Sequence, residues 1–176
     1  MEKHPIFQGL MDGAYHRWQN KEFASHEEMC EKISPEAKMA VYIGNFNYQV
    51  CNGGFLQWVC NGYGLNLDET VKALKEIGTK NAKISIQLLE RIRPHLNFDA
   101  NNHGCFGDYW KTSKCDCDFG YRSSYDGEEE EACSECDGNG TIEDKPDFLD
   151  ELDDLYYEFN EALMDEVESY FSKKAS

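Results

Sequence analysis

The chain has 176 residues, of which 40% are hydrophobic and 13% aromatic, enough for one buried core and unlike a disordered chain. Its formal net charge of -17 repels nucleic acid and anionic membranes and attracts basic partners, or simply keeps the protein soluble. No apolar run is long enough to span a membrane, and residues 1–20 lack the apolar core of a signal peptide, so a cytoplasmic protein with reduced thiols is expected.

Ile6, Leu10, Met11, Ala14, Tyr15 and Trp18 recur at helical spacing and predict a first helix over 5–20. Ser25 followed by Glu28 has the form of a capping box, and a short helix to about Ile33 follows. His4, His16 and His26 are scattered and read as surface or hydrogen-bonded core groups. Ser34 and Pro35 suit the start of the next helix, which carries Ala37, Ala40, Val41, Ile43 and Phe46. That helix should stop at Asn52-Gly53-Gly54, where either glycine can take a positive φ. Phe55, Trp58 and Val59 then re-enter the core, and Gln57 and Asn61 share one helical face. The amides of Asn52, Gln57 and Asn61 are expected to bond to backbone freed at the break, or else to form a ligand or partner site. Cys30, Cys51 and Cys60 fall among apolar residues and read as buried thiols; no histidine is nominated to activate Cys51.

Asn52, Gly53, Gly54 and Phe55, with Gln57 and Asn61 at fixed offsets, resemble the signature of a bacterial helical family named after a DNA-mimic protein. The similarity runs from about Ser34 to Asn97 and resumes from about Asp147. It implies an all-α fold and a role in protein–protein interaction. In one place the chain departs from the pattern: the family often has an acid three positions before the motif's Asn, and here that residue is Gln49.

Beyond Gly64, Asn66 or Asp68 can cap a helix bearing Val71, Leu74 and Ile77, and Gly78 ends it. Thr79 can cap the next, which runs through Leu88, Leu89 and Ile92 to Pro94, so an antiparallel pair is expected. Nothing alternates with period two for long, so strands should be few. Residues 101–146 are rich in glycine and asparagine and read as an insertion that needs something to hold it together. Cys115, Cys117, Cys133 and Cys136 offer that means. They form two close pairs of thiols with 15 residues between them, a zinc-ribbon-like arrangement for structural Zn²⁺. Disulfides in an oxidised preparation, or unmetallated thiols, are the alternatives, and Cys105 or His103 lies near enough to replace one ligand. The segment CSECDGNG resembles one repeat of the zinc-binding CxxCxGxG module of DnaJ-type chaperones, which implies metal binding and no chaperone activity. A site of four thiolates is closed and activates no water.

Between Asp126 and Glu168 there are 19 Asp or Glu against one basic residue, Lys145. Pro146 and Asp147 start a final helix with the apolar stripe Phe148, Leu152, Leu155, Phe159, Leu163, Val167 and Tyr170. Its other faces hold nine acids over 24 residues, one per roughly 4 Å of axis, against a phosphate every ~3.4 Å along a DNA strand.

The reading is an all-α, single helical-bundle domain of about six or seven helices. Residues 1–100 form the helical core, 101–146 a loop-rich, zinc-clipped insertion, and 147–176 an acidic C-terminal helix completing the core. No catalytic residue is nominated. The expected partner is a basic DNA-binding protein, held away from DNA by Glu128, Glu129, Glu130, Glu131, Asp150, Glu151, Asp154, Glu158, Glu161 and Asp165. A basic nuclease neutralised by an antidote protein fits the same surface, and a small-ligand binder using the amides of Asn52, Gln57 and Asn61 is the third reading. Direct binding to nucleic acid or membrane is not expected, and monomer and homodimer are both left open.

Overall fold

The computed structural model describes residues 3–96, 111–114, 121–123, 130–132, 141–144 and 147–175. They form an all-α domain of seven helices: α1 (Pro5–Gln19), α2 (His26–Lys32), α3 (Pro35–Cys60), α4 (Leu67–Ile77), α5 (Lys80–Ile92), α6 (Asp147–Tyr157) and α7 (Asn160–Ala175). Short 3-10 turns precede α4 and follow α5. No helix among the described residues is long and apolar enough to cross a membrane.

Local chemistry sets the starts. The Ser25 hydroxyl accepts from Glu28 N–H and opens α2, and the Ser34 hydroxyl accepts from Ala37 N–H and opens α3, with Pro35 in the first turn. The Glu28 carboxylate reaches back one residue beyond the cap and accepts from Ala24 N–H. Gly78 closes α4 in the left-handed conformation at φ 68°.

Helix α3 runs through the middle of the domain. Every residue from Ala40 to Asn47 is buried, so this helix has no solvent face there, unlike α4 and α5. It packs on α1, α4 and α6, while α7 lies against α1, α4 and α5. A Cβ at Gly44 would fall 2.0 Å from Met11 Sδ, which marks how closely α1 crosses α3. The main core gathers around Phe46, whose ring centroid lies 5.8 Å from Trp58, 5.9 Å from Phe55 and 5.0 Å from Tyr156. A smaller cluster of Phe23, Met29, Ile33 and Tyr42 fills the space between α2 and α3.

Three expectations need correction. The last helix is two helices, α6 and α7, with a break at Glu158 and Phe159. On either side of the break, α6 buries Leu149, Leu152 and Tyr156 and packs on α3 and α5, and α7 buries Leu163, Met164, Val167 and Phe171 and packs on α1, α4 and α5. Leu155, expected inside, is 37% exposed. Second, Cys30 is buried but Cys51 and Cys60 are exposed, because they flank the kinked stretch where α3 reaches the surface. Third, Thr79 and Asn66 stand at the cap positions without bonding to their own helices through their side chains.

The insertion carries two antiparallel ladders. Strand β1 (Lys111–Lys114) pairs with β4 (Thr141–Asp144), and β2 (Tyr121–Ser123) with β3 (Glu130–Ala132). Lys114 stands opposite Thr141 and Tyr121 opposite Ala132, so the hairpin β2–β3 is nested inside the pair β1–β4. Cys105, Cys115, Cys117, Cys133, Cys136, His103, Glu128 and Glu129 lie outside the described residues; Glu131 and Glu130 pair with Arg122 and Ser123 in the inner ladder.

Candidate functional site

Helix α3 breaks where its glycines fall. Gly53 has φ -164° and ψ 31°, and Gly54 has φ 72° and ψ -177°, a region open in practice to glycine alone. The break frees the N–H of Phe55 in the interior. The carboxylate of Asp153, on α6 and 6% exposed, accepts it at 2.7 Å. A carboxylate suits that place, since it faces the positive end of the helix that restarts there. Phe55, Trp58 and Val59 then enter the core, all fully buried.

The amides do something other than expected. They bond to one another, not to freed backbone. Asn52 Nδ2 donates to Gln57 Oε1 at 3.0 Å, and Gln57 Nε2 donates to Gln49 Oε1 at 2.9 Å. Asn61 Nδ2 donates to the same Gln49 oxygen at 2.7 Å. Gln49 is therefore the acceptor on which the motif's side chains converge. A cleft of about 450 Å³ opens over this chain, lined by Tyr48, Gln49, Cys51, Asn52 and Gln57. Cys51 Sγ touches Asn47 Oδ1 at 3.6 Å and Asn160 Nδ2 at 3.0 Å, two amides that cannot serve as a base. The cleft lining offers amides, the Tyr48 hydroxyl and the Cys51 thiol, with no carboxylate, imidazole or amine among these five residues.

The acids of α6 and α7 divide into two sets. Asp153, Glu166 and Glu168 turn inward, each to the start of another helical segment. Glu166 accepts from Asn81 N–H at 3.2 Å, Asn81 Nδ2 at 3.0 Å and the Thr79 hydroxyl, at the start of α5. Glu168 accepts from Ile6 N–H at 3.1 Å and Phe7 N–H at 2.8 Å, at the start of α1. These are caps supplied from a distance. Sequence reasoning placed all three on the polar face of one helix, and no local pattern marks them as caps. The second set, Asp150, Glu151, Asp154, Glu158, Glu161 and Asp165, is exposed as expected. Lys3 lies 2.9 Å from Glu161 and holds that carboxyl below its usual range; Arg91 lies 3.1 Å from Glu151.

The profile of the DMP19-like protein family matches residues 31–174. The chain belongs to the DMP19-like protein family. No curated protein and no solved structure matches the chain. The bounds of the DMP19-like match enclose the insertion, where the sequence signature covered only the segments on either side, and they leave α1 outside. Within this family member the NGGF motif has an architectural part, Gly54 and Phe55 locked to Asp153, and a surface part, Asn52, Gln57 and Asn61 gathered on Gln49. The Gln49 position could be picked out in the sequence as the departure from the family pattern; its role as shared acceptor could not. No group of three metal-binding side chains occurs among the described residues, and the four cysteines assigned to zinc lie outside them.

Proposed function

We propose that the protein is a non-enzymatic DNA mimic that occupies the DNA-binding surface of a basic protein. The observation that carries this reading is the exposed acid row on α6 and α7 of a chain belonging to a DNA-mimic family. Asp150 and Asp154 on α6, and Glu161 and Asp165 on α7, are each four residues apart, the spacing of one helical face, and Glu158 stands between the two pairs at the break. With Asp153, Glu166 and Glu168 turned inward, the exposed acids of 24 residues fall from nine to six, one per roughly 6 Å of axis. The mimic face is thus sparser than a DNA strand, and Glu128 to Glu131 of the insertion supply further charge.

Capture of partners from a host lysate on the tagged protein, eluted by salt and competed by DNA, tests this. Such binding is mostly electrostatic and weakens as the screening length drops below about 10 Å. Asparagine or glutamine at Asp154, Glu158, Glu161 and Asp165 is expected to abolish capture of a basic DNA-binding protein with the fold intact. Unchanged capture overturns the reading, and recovery of a basic nuclease in place of a transcription factor makes the protein an antidote.

For the insertion we propose a structural Zn²⁺ held by Cys115, Cys117, Cys133 and Cys136 in a reducing cytoplasm. What supports it is the nesting of the ladders: residues 115–120 and 133–140 are the two stretches that connect one ladder with the other, and each carries one pair of thiols. One zinc per chain in freshly purified protein is expected, lost on changing the four cysteines to serine; metal-free protein with an unchanged melting curve overturns it.

A further inference from the structure

At the opposite end of α7 from the acid row, a groove of about 290 Å³ lies between α3, α4 and the last turn of α7. We propose that it binds a small amphipathic monoanion, a carboxylate with an apolar body. Lys38, Lys72 and Lys174 line it, against Glu69 and Glu76. With Glu36 beside Lys174 the local balance is neutral, in a chain whose net charge is -17. Lys174 is engaged already: its Nζ lies 4.0 Å from Glu36 and 5.0 Å over the Tyr170 ring. Lys38 Nζ sits 5.8 Å over the Tyr42 ring, and neither Lys38 nor Lys72 has an ion-pair partner among the described residues. Those two ammonium groups are therefore the ones an anion can take.

The floor decides what else the ligand carries. Met39, Ala73 and Pro35 give it an apolar surface, with the buried ring of Tyr42 behind. A bare inorganic anion would leave that surface unused. Glu69 and Glu76 oppose a second negative charge, so a dianion is disfavoured. The volume stands at the small end of ligand cavities, about 300 Å³, which suits a short chain or single ring and excludes a nucleotide cofactor. From Asp165 to Lys174 is about 14 Å along α7, so the groove is separate from the proposed mimic face.

The test is calorimetric titration of the full chain with decanoate, with decanol and decyltrimethylammonium as neutral and cationic counterparts. Saturable binding of decanoate is expected, with both counterparts much weaker. The double variant Lys38→Gln/Lys72→Gln should weaken decanoate by about tenfold or more, as for loss of charge-assisted hydrogen bonds. Lys75→Gln, on the same helix but outside the groove, should bind as the parent does. Absence of saturable decanoate binding, equal binding of the alcohol or the cation, or an unaltered double variant each overturns the proposal.

Discussion

Asp153 and Gly54 are fitted to one another: a Cβ at Gly54 would lie 2.1 Å from Asp153 Oδ2, and the same carboxylate holds the N–H of the following residue, Phe55. The second glycine of the motif thus answers two demands, a backbone conformation closed to other residues and the room taken by a buried acid.

Gly54→Ala is expected to destabilise the protein by roughly 3 kcal/mol or more, from backbone strain and from displacement of Asp153. Asp153→Ala leaves the Phe55 N–H unbonded in the interior and should cost roughly 2 kcal/mol. Because Gly54→Ala forfeits part of the same contact, the double variant should cost less than the two together by about 1 kcal/mol. Urea denaturation measures all three; strict additivity would show that the two residues act independently.

Acids of one helix pair should differ sharply in what they do. Glu166→Ala and Glu168→Ala remove caps from α5 and α1 and are expected to cost roughly 1 kcal/mol each. Glu158→Gln, on the exposed side, should stay within about 0.5 kcal/mol of the parent. Thermal melts of the three variants decide whether the inward and outward acids separate in this way.

Gln49→Glu should preserve or slightly raise stability, since a carboxylate accepts from Gln57 and Asn61 at least as well as an amide oxygen. Gln49→Ala removes the shared acceptor and is expected to cost about 0.5–1 kcal/mol, modest because the site is partly wet. Loss of more than about 1 kcal/mol in the glutamate variant would show that the amide NH₂ of Gln49 matters as much as its oxygen.

Stability should fall on the alkaline side. Burial pushes the Tyr15 phenol up to about 12, and it pushes those of Tyr42 and Tyr156 upward too. In the unfolded chain these groups lose their protons near pH 10 while the folded chain retains them. The stabilisation is therefore complete below about pH 10 and is lost as pH rises through the folded values. Tyrosinate absorbance followed with far-ultraviolet circular dichroism checks this: the buried phenols should ionise together with loss of helix, not before it.

Much of the helical plan was legible because it rests on local chemistry. Ser25, Ser34 and Gly78 mark ends that hydrogen bonds or dihedral angles then confirm. The kink was legible for the same reason, since few sequences other than Gly-Gly permit it. What escaped is long-range. Phe55 and Asp153 are 98 residues apart, and Asn81 and Glu166 are 85 apart. Helical periodicity separates apolar from polar positions; it does not say which polar side chain faces solvent and which faces the start of another helix. The split of α6 from α7 was hidden for a related reason. The buried residues keep one helical phase across Glu158, from Leu152 and Tyr156 to Leu163 and Val167, so periodicity carries no sign of the break.

The distant caps impose an order on assembly. The starts of α1, α5 and the second half of α3 are all translated before the carboxylates that complete them, and the insertion must be made in between. Until residues 153–168 emerge, Phe55 has no partner for its N–H and Tyr156 is missing from the ring cluster around Phe46. A chain cut within the insertion would be left with its central helix uncovered along one side. The last two helices close the molecule like a clasp with three hooks, and the nascent chain remains open to chaperones and proteases until all three engage.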